Sequence, residues 1–191
     1  MTRIPRSCWL ALLLAAAAPG KPARAAFPPL FPVPGDSTLE YQVKAAYLLR
    51  FAQFVSWPAQ AFSSPSDPIH IGVMAGDPIG PILDSMVVGR EAQGRRIVVR
   101  HLGPDDPLDG IQLLFVGQLR DRDRRGLLQR AGTLAVLTVG DGDRFLQDGG
   151  GIGLLRIDET IRFGVNLRTV ERTGLRIDAR ALAVAYVVHD R

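Results

Sequence analysis

The chain has 191 residues, of which 47% are hydrophobic and 22% charged, and this composition is typical of a globular protein with one hydrophobic core. It excludes a collagen-like or generally disordered chain. Four of the 23 basic side chains lie in the first 25 residues, which contain no acidic side chain, so the remainder carries 19 basic and 19 acidic residues. A nearly neutral remainder gives no support for nucleic-acid binding.

Residues 1–25 have the pattern of a secretory signal peptide. Two arginines precede an apolar run from Cys8 to Ala18, and a small-x-small site follows at Ala23-Arg24-Ala25. The run is about half of the roughly 20 residues that span a bilayer, which favours cleavage after Ala25 over an uncleaved anchor. We therefore expect an exported domain without direct membrane insertion. Because the chain's one cysteine leaves with the signal, no disulfide or thiolate metal site is expected.

Residues 26–36 contain four prolines, which predicts an extended leader ahead of the fold. The first helix should then begin at Ser37, which has the capping-box spacing to Glu40, and run to about Val55 before Trp57-Pro58 ends it. Apolar side chains line both of its sides, with one stripe made of Leu39, Val43, Ala46, Tyr47 and Phe54 and the opposite one of Ala45, Leu48, Ala52 and Val55. A helix that is apolar nearly all round is buried on more than one side.

Short apolar runs separated by helical segments predict a mostly parallel sheet. The segments are strands at 69–74, 96–102, 111–116 and 134–139 and helices at 79–88 and 121–131. Continuously apolar strands are covered on both faces. We therefore predict a single α/β domain at 37–191, with a three-layer arrangement around the sheet.

The C-terminal part is predicted to add a β-hairpin and two helices. Residues 152–157 and 161–167 alternate in hydrophobicity on either side of a polar turn, as the two strands of a hairpin do. A short helix should end at Gly174. A closing helix should run over 179–188 with Asp178 as its N-cap.

Few side chains of the exported part suit catalysis or metal binding. His70, His101 and His189 have no spacing that would let two of them share a metal. Asp141 and Asp143 follow the fourth strand, where Mg²⁺ or Ca²⁺ could bind, but an Asp between a strand and a helix is favoured as a helix cap. We therefore expect no enzyme, no cofactor and no metal site.

Glycines mark two turns. Gly72, Gly76 and Gly80 surround a strand-to-helix turn, yet they match neither a dinucleotide-binding motif nor a P-loop, so they are a weak signal for nucleotide binding. A Gly149 to Gly151 run precedes the hairpin. Gly150 is expected to have a positive φ there.

Several segments together resemble the YfiR family of small periplasmic proteins. They are YQVKAAYLLRFAQFVSWP (41–58), IGVMAGDPIG (71–80), LTVGDGDRF (137–145), GGGIGLL (149–155), IRFGVNL (161–167) and TGLRID (173–178). They cover nearly the whole mature chain in the family's order. The helix ending in Trp-Pro, the Gly-Gly block and the Arg-Phe-x-x-Asn-Leu block are specific in combination.

The sequence also departs from the family pattern. Arg50 and Gln53 stand where the family has Asn and Lys, and Gly151 stands where Met is frequent. The position near Ile111 that often holds a cysteine is apolar here. The cysteines by which some family members form disulfides are missing here, and their absence speaks against control by thiol oxidation.

The resemblance implies a periplasmic α/β protein, often dimeric, that is not an enzyme. Family members bind the periplasmic part of an inner-membrane diguanylate cyclase and hold it inactive, which lowers cyclic di-GMP and biofilm formation. The same partner is thereby implied here, together with a homodimer. A periplasmic solute-binding or transport-accessory module is the alternative, and it would need a concave pocket with convergent polar groups.

Partner-binding residues are expected in the first-helix block. Tyr41, Lys44, Arg50 and Phe51 have the reach or the aromatic surface to anchor a partner. Tyr47 lies on the first apolar stripe and is expected in the core. Helical spacing puts Lys44 and Phe51 away from that stripe, which makes them the better interface candidates.

Overall fold

The computed structural model describes residues 37–189; the predicted signal peptide and leader lie outside them. The helices in this part of the chain are α1 (Ser37–Phe54), α2 (Ile79–Met86), α3 (Asp121–Ala131), α4 (Asp143–Gln147), α5 (Leu167–Arg172) and α6 (Ala179–Leu182). The strands are β1 (Val55–Ser56), β2 (Ile69–Met74), β3 (Glu91–Ala92), β4 (Arg95–Leu102), β5 (Leu113–Val116), β6 (Leu137–Asp141), β7 (Ile152–Ile157), β8 (Thr160–Asn166), β9 (Arg176–Ile177) and β10 (Val187–His189).

Eight strands form one sheet in the order β10-β8-β7-β6-β5-β2-β4-β3. The five consecutive strands from β7 to β4 run parallel. They have the strand order of a flavodoxin-type doubly wound sheet. β8 forms an antiparallel hairpin with β7, and β10 pairs parallel with β8. The predicted mostly parallel sheet with a C-terminal hairpin is confirmed.

Helices cover both faces of the sheet. α1, α2 and α5 pack on one face, where Leu48 and Leu83 are buried against the inward side chains of β2. α3 and α4 pack on the other face, with Leu128 and Phe145 in a second cluster. This is the predicted three-layer arrangement. None of the helices in residues 37–189 is both long and apolar enough to cross a bilayer.

The C-terminal end differs from the prediction. The expected helix over 179–188 is wrong, because α6 ends at Leu182 and the chain continues into β10. The Tyr186 N–H donates to the carbonyl of Phe163, and Val187 lies in register with Gly164 of β8. Asp178 is the N-cap, as predicted, and its carboxylate accepts the backbone N–H of Arg180.

The glycines before β7 act through packing as well as turn geometry. Gly149 has the positive φ, at 94°, so the expectation for Gly150 is wrong. Gly150 instead lies directly against the ring of Phe145, where an added Cβ would overlap ring carbons. A glycine is needed at this position because the ring occupies the space of a side chain.

Gly150→Ala is therefore expected to lower the free energy of unfolding by about 1–2 kcal/mol, because the added methyl overpacks a ring that is itself buried. Gly126→Ala is the matched control. A Cβ at Gly126 in α3 meets nothing within 4 Å, so alanine there should leave stability unchanged or raise it by about 0.5–1 kcal/mol. Urea unfolding of both variants measures the difference, and equal midpoints would contradict the packing role of Gly150.

Candidate functional site

α1 carries all four residues predicted to bind a partner. Tyr41 and Arg50 are half-buried, but Lys44 is only 6% exposed and Phe51 only 1%. The two residues that helical spacing made the better interface candidates are therefore the two that are buried. The side of α1 opposite the Leu39 stripe is itself covered by the protein, so a partner could reach these two side chains only if α1 left its place.

Phe51 belongs to a buried aromatic cluster that ties α1 to the sheet. Its ring centroid lies 5.9 Å from that of Tyr47 and 5.3 Å from that of Phe163 in β8. The Tyr47 hydroxyl donates a hydrogen bond of 3.0 Å to the carbonyl of Ile161, and burial raises the pKa of this hydroxyl. The expectation that Tyr47 lies in the core is confirmed.

Lys44 forms a second link between α1 and the sheet. Its Nζ lies 2.7 Å from Glu40 Oε1 and 2.9 Å from Asp141 Oδ2, and it lies 5.4 Å from the centroid of the Tyr41 ring. Glu40 also accepts a hydrogen bond of 3.1 Å from Arg156 in β7. We call Glu40, Lys44, Asp141 and Arg156 the ion-pair cluster. It joins the first turns of α1 to the carboxyl edge of the sheet.

The prediction that an Asp of the Asp141-Gly142-Asp143 segment caps the following helix is wrong. Asp141 is the last residue of β6, and Gly142 is the N-cap of α4. Asp141 instead supplies the carboxylate that Lys44 needs in order to be buried with its charge. Asp143 begins α4 and accepts a hydrogen bond from Gln147, so the two carboxylates have separate structural roles.

Burial shifts the pKa values of Asp141 and Lys44. For Asp141, burial is the largest cause and raises the pKa, while Lys44 offsets part of the rise. For Lys44, burial lowers the pKa, but the charges and hydrogen bonds of Asp141 and Glu40 outweigh it and leave the pKa raised. Lys44 therefore keeps its charge between two carboxylates. Asp141, whose Oδ1 has no hydrogen-bond partner, takes up a proton at a higher pH than an ordinary aspartate does.

Arg50 lies at a groove between α1, α2 and the β3–β4 hairpin, with a volume of about 410 Å³. Leu49, Met86 and Ile97 provide its apolar lining, and Arg50 and Arg90 provide basic side chains. We call this surface the α1–α2 groove. Its combination of apolar lining and arginine is typical of protein interfaces.

The histidines do not converge on a metal. Within residues 37–189, no group of three His, Cys, Asp or Glu side chains is placed to hold a metal ion. His101 lies 3.0 Å from the carboxylate of Asp84 on the surface. His70 is half-buried in β2, where burial lowers its pKa, and His189 ends β10 at the edge of the sheet.

One family model matches most of the described chain. It is the YfiR/HmsC-like model, and it covers residues 41–186, from the second turn of α1 to the residue before β10. No curated protein matches the chain. The matched span contains the α1–α2 groove and the ion-pair cluster apart from Glu40.

Proposed function

The chain belongs to the YfiR/HmsC-like family, and from this membership we propose that it is a periplasmic regulator of a diguanylate cyclase. The family is a regulatory and non-catalytic one. In the proposed mechanism the protein binds the periplasmic domain of an inner-membrane diguanylate cyclase and stabilises its inactive state, which lowers cyclic di-GMP. Release of the protein then shifts the enzyme population towards the active state. The family match over residues 41–186 is the observation that carries this proposal.

The proposed contact surface is the α1–α2 groove. Of the four residues predicted to bind the partner, only Tyr41 and Arg50 have substantial exposed surface, and Arg50 lines this groove. Val88, in the turn that follows α2, is an exposed apolar residue, with 80% of its surface accessible. Arginine beside exposed apolar side chains is a frequent source of binding energy in interfaces.

Lys44 and Phe51 have a different role in this proposal. Both are buried, so they hold α1 in the position that presents Arg50 to the partner. Substitutions at these two positions would reduce regulation by displacing α1 or by unfolding the protein. The homodimer that the resemblance implies stays a prediction, which light scattering of the mature protein tests.

Deletion of the gene is expected to raise cellular cyclic di-GMP, and Arg50→Glu should reproduce the rise because it reverses a charge at the proposed contact. Arg125→Glu is the matched control. Arg125 is exposed on α3, which covers the opposite face of the sheet, so this variant should behave like the wild type. Mass spectrometry measures cyclic di-GMP, with immunoblots of periplasmic extracts to show equal amounts of each variant.

Unchanged cyclic di-GMP in the deletion strain would reject the regulatory function and leave the periplasmic solute-binding module. A rise in the deletion strain with no effect of Arg50→Glu would retain the regulatory function and reject the α1–α2 groove as the contact surface. Co-purification of the membrane partner with the wild type, and its loss with Arg50→Glu, would support both the regulatory function and the α1–α2 groove as the contact surface.

A further inference from the structure

A cavity of about 240 Å³ lies at the carboxyl edge of the sheet. It is lined by the turn after β2 (residues 75–78), the turn after β5 (residues 117–119) and the side chain of Tyr41 from α1. After β2 the chain enters α2 on one face, and after β5 it enters α3 on the other. Doubly wound sheets bind their ligands at this kind of position, where neighbouring strands lead to opposite faces. We call it the switch-point cavity.

One carboxylate is fixed in this cavity. Asp77 Oδ1 accepts the backbone N–H of Ile79 at 3.0 Å, which holds the side chain at the start of α2. The Asp77 carboxylate lies against Gly117, where an added Cβ would overlap Oδ2. A residue with a side chain at position 117 would displace the carboxylate, so the glycine after β5 is part of how the cavity is built.

The electrostatics of the cavity favour a cation. Asp77 is the only charged residue among the residues of the described chain that line it. The charge of Asp77 also contributes to raising the pKa of Asp141. The ammonium group of Lys44 is already bound between Asp141 and Glu40. An added anion would therefore meet Asp77, and the residues that the structure describes on the wall include no cation to balance it.

Part of the remaining wall fits a small apolar body. The ring of Tyr41 and the side chains of Met74 and Leu119 line the cavity beside Asp77. The ammonium group of Lys44 already lies 5.4 Å from the centroid of the Tyr41 ring, so the ring offers a contact for an apolar group and Asp77 supplies the charge that attracts a cation. Among the described residues of the wall, a bare Ca²⁺ ion would find one carboxylate, whereas such an ion takes about six to eight oxygen ligands.

We propose that the switch-point cavity binds a small organic ammonium compound. The ammonium group lies against the Asp77 carboxylate, and the apolar body contacts Tyr41, Met74 and Leu119. A nucleotide, for which the glycines around β2 are a weak signal, does not suit this cavity, because Asp77 would repel its phosphate. The inference goes beyond the proposed regulatory function and does not depend on it, since binding is measured on the isolated protein.

The test uses isoamylamine as the probe and isoamyl alcohol as its neutral counterpart with the same carbon skeleton. In two-dimensional ¹H–¹⁵N NMR spectra of the mature protein, the amine is expected to shift the amide signals of residues 75–77 and 117–119 saturably. The alcohol should bind about two- to fivefold more weakly, which is the effect of one partly exposed ion pair. Equal binding of the two compounds, or shifts elsewhere in the protein, would overturn the proposal.

Two matched variants complete the experiment. Asp77→Asn retains the Oδ1 acceptor for Ile79 and removes the charge, so it should fold and lose the preference for the amine. Asp158→Asn removes a charge from the exposed hairpin turn, where asparagine suits the positive φ of 53°, and it should bind like the wild type. A folded Asp77→Asn variant that keeps the preference would overturn the proposal. The cyclic di-GMP assays report separately on the regulatory function.

Discussion

Phe51→Ala is expected to lower the free energy of unfolding by about 3–5 kcal/mol. The ring is 1% exposed and contacts both Tyr47 and Phe163, so its removal leaves a cavity between α1 and β8 as well as a loss of buried apolar surface. A loss of this size is a large part of the roughly 5–15 kcal/mol that stabilises a typical domain. Urea unfolding followed by circular dichroism measures it.

Gln42→Ala is the control for this prediction, because Gln42 is an exposed residue of the same helix. Its free energy of unfolding should stay within about 0.5 kcal/mol of the wild type. Wild-type stability of Phe51→Ala would contradict the buried position of the ring. A cyclic di-GMP effect of Phe51→Ala must be compared with the amount of folded protein, since an unfolded regulator also fails to bind its partner.

The general fold could be predicted because its signals are local. Each parallel strand of the core contains a continuous apolar run, and the hairpin strands alternate on either side of a polar turn. The bounds of the fourth strand are predicted less exactly: the sequence predicts 134–139, and the strand is Leu137–Asp141. Its polar end is set by pairing, since Asp141 lies in register with Leu154 of β7. A neighbouring strand is not visible in a local pattern.

The last strand, β10, also cannot be predicted from the local sequence pattern. Residues 179–188 contain good helix formers, and periodicity alone favours a helix there. The free edge of β8 changes the outcome, because it offers backbone hydrogen-bond partners to residues 187–189. Val187 and Val188 are β-branched and suit a strand once that edge is available. Tertiary pairing therefore overrides the local helical preference.

The candidate site could be predicted only in part. The sequence places the candidate partner-binding residues on the first helix, and the apolar residues of that helix predict its burial on several sides. Helical spacing could not show that Lys44 is buried, because its partner Asp141 lies 97 residues away in the chain. One signal was available: a lysine between apolar neighbours on a helix buried all round requires a carboxylate, and Asp141 follows an apolar strand.

Lys44→Met is expected to lower the free energy of unfolding at neutral pH by about 2–3 kcal/mol. The methionine fills the space of the lysine stem but leaves the carboxylates of Asp141 and Glu40 without the ammonium group between them. This loss of unfolding free energy is smaller than for a fully buried ion pair, because solvent reaches part of both carboxylates. Arg50→Met, which removes the same charge from a half-buried position of α1, is the matched control and should cost less than about 1 kcal/mol.

The loss of unfolding free energy caused by Lys44→Met should become smaller as the pH falls. In the variant nothing offsets the burial that raises the pKa of Asp141, so its folded state takes up a proton more readily than the unfolded chain, whose pKa is near 3.8. The variant therefore recovers stability relative to the wild type as the pH falls towards that value. In the wild type the raised pKa of Lys44 gives stability that is present below 10.5 and is lost as the pH rises through the folded-state value.

A double-mutant cycle with Asp141→Asn tests whether the two groups act as a pair. The Lys44→Met and Asp141→Asn double variant should be less destabilised than the sum of the single variants, because it removes the uncompensated carboxylate along with the ammonium group. Glu40 keeps its hydrogen bond to Arg156 in this variant, so the cluster is not left without a cation. Single-variant costs that add within about 0.5 kcal/mol would contradict the pairing. A coupling well above that value, absent between Arg50→Met and Asp141→Asn, would show that this ion pair fixes the start of α1 to the carboxyl edge of the sheet.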